Sequence, residues 1–298
     1  MQRRSFIRNS SIALTALLVL KDKAFAQLLN EYKVRMLTKD IGIFTERGGT
    51  ILFYVSKDGI VVVDSQFPDS AAHLITELQK KGKEFRLLIN THHHSDHTSG
   101  NIAFKDLVPH VLAHENSKIN QQKNAELNNT TDKQLYPDQT YGNTWCERIG
   151  KEEICLDYFG AAHTNGDSIV HFRKSRIVHL GDLVFNRKHP NIDKVNGADI
   201  ASWIQVLDKI TSTFHRKTKY VCGHAGTDHD VVIGTADINA FKKYLRNLLL
   251  FTSSQISAGK TRDEILKATT IPGSPEWKGE GIEKPLAAAY TELTAKLD

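Results

Sequence analysis

The sequence predicts a mixed α/β sandwich. Short β-rich runs alternate with amphipathic helices, several runs are joined by hairpins rather than helical crossovers, and 298 residues at 40% apolar content are enough for a real core. Hairpin connections argue against a doubly wound parallel sheet, where a crossover must separate consecutive strands. No internal repeat and no low-complexity linker divides residues 27–298, so that stretch is expected to form one domain.

Residues 1–26 stand apart. Arg3 and Arg4, the apolar run Ile12 to Leu20 and the small-residue stretch Ala24-Phe25-Ala26 follow the order of a secretory signal, with a mature start at Gln27. Arg3-Arg4-Ser5-Phe6-Ile7-Arg8 resembles a twin-arginine export signal, which implies a periplasmic or otherwise exported protein. An uncleaved membrane anchor is the alternative, but the apolar run falls short of the ~20 residues that span a bilayer. The segment holds five of the 39 basic residues and one of the 34 acidic ones, so its removal leaves a net charge near +1. No basic stripe interleaved with aromatics remains, and a nucleic-acid partner is not expected.

Ile51 to Val55 and Ile60 to Asp64 are strands joined by the turn Lys57-Asp58-Gly59. A helix follows, capped by Asp69 or Ser70, with Leu74, Ile75 and Leu78 on its apolar face and Gly82 at its end. Phe85 to Asn90 is a buried strand. The polar stretch Asn116 to Asn143 has no clear period and is expected to be a long loop or a loose helical insertion. Ile169 to Phe172 and Arg176 to Asp182 form a strand pair. Ile200, Trp203, Ile204, Leu207 and Ile210 mark a helix, Tyr220 to His224 another strand, and Ile238, Phe241, Leu245, Leu248 and Leu249 the face of a long final helix. Three cysteines are too few for a disulfide scaffold. Cys146 and Cys155 flank Gly150 in a predicted hairpin and would pair in an oxidising compartment or stay as buried thiols.

Thr91-His92-His93-His94-Ser95-Asp96-His97 places four imidazoles and a carboxylate directly after an apolar strand. Imidazole nitrogen and carboxylate oxygen suit a borderline cation such as zinc, and a turn leaving a strand can aim side chains at neighbouring ions. The pattern HxHxDH, filled by His92, His94, Asp96 and His97, resembles the signature of the metallo-β-lactamase superfamily. The rest of the chain carries the same order. Val61-Val62-Val63-Asp64 fits the Asp that closes an early strand, and His163 in Gly160-Ala161-Ala162-His163-Thr164-Asn165-Gly166-Asp167 fits a later turn. Gly181-Asp182 and Gly223-His224 complete it.

The resemblance implies a four-layer αβ/βα sandwich with helices following at the C-terminus. It also implies a zinc-type hydrolase site holding two divalent ions, with one ion on His92, His94 and His163, the other on Asp96, His97 and His224, and Asp182 shared. Asp64 would orient the ligand imidazoles, and Asp96 is the candidate general base toward a metal-bridging hydroxide. His189, just beyond Asp182, is a candidate substrate contact. His93 is expected to point away from the ions, His229 is a possible substitute for His224, and His73, His171, His179 and His215 are expected to be structural or exposed. His110 and His114 bracket a predicted strand. The walls are expected from Phe67-Pro68, the stretch after Asn116 and the segment Asn186 to Asn196, while Trp145 and Tyr141 fit the wall or the core equally. Substrates expected are small molecules: a carbonyl ester, lactone or amide, with β-lactam cleavage as a main or side activity. Alternatives within the resemblance are a glyoxalase II-like thioesterase, a phosphodiesterase and a mononuclear iron persulfide dioxygenase.

Overall fold

The computed structural model describes residues 32–295; the predicted export signal lies outside them. The first sheet has seven strands in the order β1 (Lys33–Met36), β2 (Ile41–Thr45), β3 (Ile51–Ser56), β4 (Gly59–Val63), β5 (Phe85–Ile89), β6 (Val111–His114) and β7 (Gln139–Tyr141). From β2 to β4 the pairing is antiparallel, and from β4 to β7 it is parallel. The second sheet has six strands in the spatial order β15 (Val232–Ile233), β13 (Lys219–Val221), β11 (Ile177–His179), β10 (Ile169–Phe172), β9 (Glu152–Asp157) and β8 (Thr144–Ile149). β12 (Phe185–Asn186) and β14 (His224–Ala225) pair on their own in parallel.

Side-chain alternation along each strand decides what fills the space between the sheets. Val61, Val63, Leu87 and Ile89 from the first sheet meet Ile154, Leu156, Val170 and Phe172 from the second in one buried cluster. Their neighbours Ile60, Val62 and Leu88 are buried on the opposite face, as parallel strands covered on both sides require. The outer face of the second sheet contributes Ile169, Val178, Leu180 and Tyr220 to a second cluster with three helices. Those helices are α4 (Ile200–Thr213), α5 (Thr235–Ser257) and α7 (Glu283–Thr294), and they supply Trp203, Leu207, Phe241, Leu245 and Leu286. Helix, sheet, sheet and helix therefore follow one another as expected for the αβ/βα sandwich.

Two sequence expectations shift, and a third, open between two forms, resolves. Helix α1 (Pro68–Gln79) starts from Phe67 in an extended conformation with Pro68 in its first turn, and no side chain caps it. Proline's preset φ and missing N–H suit that position, so neither Asp69 nor Ser70 is needed as the cap. The strand predicted over 176–182 stops at His179, and Gly181–Leu183 forms a 3-10 turn instead. The stretch after Asn116, expected as a long loop or a loose helical insertion, takes the second form with helix α3 (Glu115–Leu127), capped by the His114 imidazole accepting from the Asn116 N–H at 3.2 Å. Its buried residues are Ser117, Asn120, Gln121 and Ala125, so no apolar period could announce it. Polar bonds dock it: Asn116 Nδ2 and Asn120 Nδ2 both donate to Asn165, each at 2.8 Å.

Cys146 and Cys155 face each other across β8 and β9 and form a disulfide, while Cys222 is a buried free thiol. Tyr141 and Trp145 pack into or against the cluster between the sheets, which decides for the core.

Candidate metal centre

The seven candidate donors sit on the segments that follow strands β5, β9, β11 and β13. Val63 pairs with Ile89, so Asp64 emerges beside Thr91. Asp64 is fully buried and adopts the left-handed region with φ of 66°, an uncommon conformation for a residue with a side chain. Four hydrogen bonds hold it there. Its carboxylate accepts from the Thr91 N–H, the Thr91 hydroxyl and His97 Nδ1, each at 2.8 Å, and its own N–H donates to Ile89 at 2.7 Å.

Beyond β5 the chain bends at Thr91 and His92, is extended again at His94, then turns into the short helix α2 (Ser95–Thr98). The helix start separates the cluster, with His92 and His94 before it and Asp96 and His97 on the helical turn. His163 sits in the loop after β9, where Asp167 accepts from the Thr164 N–H at 2.8 Å and its hydroxyl at 2.7 Å. Asp182 and His224 follow β11 and β13, bound together by the Gly223 N–H donating to the Gly181 carbonyl at 2.7 Å. Position 223 must be glycine, because a Cβ there would overlap Asp182 Oδ1.

The donors fall into two groups. His92 Nε2 and His163 Nε2 stand 3.1 and 2.9 Å from His94 Nδ1, and Asp182 Oδ2 is 3.9 and 3.6 Å from the first two. On the other side, Asp96 Oδ2 is 3.0 Å from His224 Nε2, and Asp182 Oδ1 is 3.1 Å from His97 Nε2. Within each group, His92, His94, His163 and Asp182 or Asp96, His97 and His224, the donor atoms all lie within 4.8 Å of one another. Asp182 borders both, since its Oδ2 is also 3.5 Å from His224 Nε2.

The imidazoles are oriented from behind. His97 Nδ1 is held by Asp64, His163 Nδ1 by the Asn191 carbonyl at 2.8 Å and His94 Nε2 by Asp193 Oδ2 at 2.9 Å. Each of these three rings thus turns its other nitrogen inward, as metal-ligating histidines do. Asp193 had no motif to mark it. It is 99 residues from His94 in sequence, and it closes a 3-10 turn by accepting from the Asn196 N–H and side chain at 3.1 and 2.7 Å. His93 is buried with its Nε2 3.3 Å from the same Asp193 carboxylate, and with His94 and Asp193 it forms a further cluster of closely spaced donors that shares only His94 with the first group.

The charge states suit a cation. Burial, reinforced by neighbouring imidazoles, keeps His92 well below the usual histidine range and pushes His163 down to about 3. Burial would raise Asp96, but the His224 hydrogen bond and the charge of His97 outweigh it and pull the carboxyl down to about 2. Asp182 goes further down against the same burial, through His224 and His97. His97 goes up: burial opposes its charge, but Asp182 and Asp64 overcome that. His97 Nε2 and Asp182 Oδ1 are both buried and neither makes a hydrogen bond. Ionised carboxylates, the inward lone pairs of His92 and His163 and a buried His97 Nε2 whose proton a cation would displace fit divalent ions of the zinc type.

A family model of the metallo-β-lactamase superfamily matches residues 44–224, which takes in both donor groups from first to last. The chain belongs to the metallo-β-lactamase superfamily. Its homologues are metal-dependent hydrolases, and the chain is an enzyme of that class. A metallo-beta-lactamase type 2 from Elizabethkingia meningoseptica is 23% identical over 211 residues, covering 67% of this chain and 82% of the relative. A metallo-beta-lactamase from Pontibacter korlensis has a similar structure, with 20% identity and a TM-score of 0.62, over 73% of this chain and 100% of that one. The sec-alkyl sulfatase PisA1 matches at 14% identity with a TM-score of 0.69, over 92% of this chain and 53% of its own. The sulfatase fold thus accompanies this chain well beyond the extent shared with the lactamase.

Around the superfamily site, a 420 Å³ cleft is bounded by the donors His94, Asp96, Asp182 and His224 and, on its far wall, by Lys188, His189 and Lys284. The segment Asn186 to Asn196 therefore lines the cleft as expected, and the C-terminal residues Glu280 to Lys284, which no motif singled out, form the rest of that wall. Helix α3 borders a separate 180 Å³ cavity behind His93 and His94. Phe67 instead lies under the Arg47 guanidinium, 5.6 Å from its ring centre. His179 is buried and bonds the Thr50 carbonyl and the Gly181 N–H, His114 caps α3, and His229 lines a 750 Å³ cavity adjoining the cleft rather than either donor group.

Proposed function

We propose that the protein is a two-ion, zinc-type hydrolase of small molecules, cleaving a carbonyl ester, lactone or amide, with β-lactam cleavage as a main or side activity. The observation that carries this is Asp182 standing between two donor groups at the floor of an open cleft. His92, His94 and His163 would hold one ion, Asp96, His97 and His224 the other, with Asp182 shared. Divalent ions in such a pair lower the pKa of water toward neutrality and polarise the oxygen of the scissile group.

The chain's own groups do the rest. Asp182 and Asp64 are 4% and 0% exposed, whereas the Asp96 side chain is 30% exposed, so Asp96 is the carboxylate that can reach an attacking water in the cleft. Ionised across the neutral range, it accepts that water's hydrogen bond and aims its oxygen at the carbonyl carbon. Asp64, Asp193 and the Asn191 carbonyl keep the imidazoles from rotating while charge builds up. The complete second donor group favours this reading over a single-iron dioxygenase. Residues 1–26 are proposed to direct export as a twin-arginine-type signal, leaving a mature single-domain chain from Gln27; N-terminal sequencing of exported protein checks that start.

The test is metal content of the chain from Gln27 onward, with hydrolysis of a β-lactam, a lactone, a thioester, a phosphodiester and, given the breadth of the sulfatase match, a secondary alkyl sulfate. A pair of zinc ions per chain is expected, with activity falling at least ~100-fold in Asp96→Ala and in His163→Ala. A single iron with oxygen uptake on a persulfide overturns the proposal.

A further inference from the structure

His189 is 8% exposed and lies in the wall shared by the 420 Å³ cleft and the adjoining 750 Å³ cavity. Its two nitrogens differ. Nδ1 is 2.9 Å from the Tyr244 hydroxyl, whereas Nε2 is buried with no hydrogen-bond partner. Tyr244 is itself fully buried in α5, with its ring stacked 4.9 Å from Trp277, so it forms a rigid support.

The tautomer follows from counting protons. Among the described residues the Tyr244 hydroxyl has no hydrogen-bond acceptor other than His189 Nδ1. A buried hydroxyl donates where an acceptor is in reach, so Nδ1 accepts and the imidazole proton sits on Nε2. Burial holds the His189 pKa below the usual histidine range, which keeps the ring neutral near pH 7. His189, one of the residues lining the cleft, thus carries a buried N–H donor that the protein leaves unpaired, a state that native proteins seldom tolerate without a use.

We infer that His189, oriented by Tyr244, binds substrate by donating a hydrogen bond from Nε2 to a substrate oxygen outside the scissile bond. This rests on the hydrolase reading above. Tyr244 is the positioning residue: it reaches the substrate only through the imidazole. The contact serves bound substrate and transition state alike, so its loss should appear in KM rather than in kcat.

The experiment compares His189→Leu, His189→Gln and Tyr244→Phe with the parent enzyme, on the panel member it cleaves best. His189→Leu should raise KM by about tenfold with kcat within about twofold, metal content and melting temperature being unchanged. His189→Gln, which can still present an amide N–H, should restore KM to within about threefold. Tyr244→Phe should fall between them, and 15N spectra of the imidazole should show the proton on Nε2 in the parent and a mixture of tautomers in Tyr244→Phe. An Nδ1–H tautomer in the parent overturns the inference, and so does an unchanged KM in both His189 variants. If His189→Leu fails to fold, His189→Gln and Tyr244→Phe decide by the same KM and spectral criteria. A parent enzyme that cleaves no panel member defeats the hydrolase reading instead, while the tautomer result still stands or falls by itself.

Discussion

Asp193 shows how much of the centre depends on side chains standing behind the two donor groups that flank Asp182. It meets His94 through the ring nitrogen that faces away from the donor group, so its removal frees the imidazole to rotate. Asp193→Ala should weaken zinc binding by ~10–100-fold in a chelator competition. His97 makes the second prediction. Its pKa is raised because Asp182 and Asp64 overcome its burial, so in the ion-free protein the charged ring stabilises the fold. That contribution is fully present below the unfolded value of about 6.5 and is lost as pH rises through the higher folded value. An ion binding at Nε2 must displace the proton. Zinc affinity should therefore fall as pH drops across that window, with proton release visible as a buffer-dependent heat in calorimetry. The cluster from His92 to His97 stands out in the sequence by itself, whereas His163, Asp182 and His224 were picked out only by the resemblance to the superfamily. Asp193 was marked by neither, since a polar turn reveals its own closure and nothing of the ring it will meet.

Among the elements, α4 carries the clearest dependence on distant sequence. Its first turn is capped twice: Asp199 accepts from the Ser202 N–H at 2.7 Å, and Glu292 of α7 accepts from the Ile200 and Ala201 N–H groups at 2.8 and 3.1 Å. Glu292 is 4% exposed and also receives Lys194 Nζ at 3.0 Å. Glu292→Ala leaves buried donors unpaired and should cost about 2–3 kcal/mol in urea unfolding. Because Lys194 adjoins Asp193, weaker zinc binding should accompany it. Amphipathic period revealed α4 and α5 from their apolar faces. It was silent on α3, whose docked face is Asn and Gln, and on Glu292, which reads as one more charged residue on a helix.

At the scale of the whole molecule, the hairpin of β8 and β9 lies at the edge of the second sheet, closed by Cys146–Cys155 over a separation of 9 residues. Loop closure of this length is worth roughly 2–3 kcal/mol, and Cys146→Ser with Cys155→Ser should lose about that much in thermal unfolding while leaving zinc content intact. The sandwich itself was legible because hairpins and helix periods are local. The wall built by Glu280 to Lys284 was not, for it depends on where the last helix returns. The centre joins the two sheets: His92, His94, Asp96 and His97 follow β5 of the first, His163 and Asp182 follow β9 and β11 of the second, and His224 follows β13 of the second, at the start of β14. Neither half owns a complete set. During synthesis the first donor group is complete only once Asp182 has been made and the second only once His224 has, and neither closes until the sheets meet face to face, so occupancy of both certifies that the two sheets have joined. For a chain proposed to cross a membrane already folded, the cytoplasm would be the place where that certificate is issued.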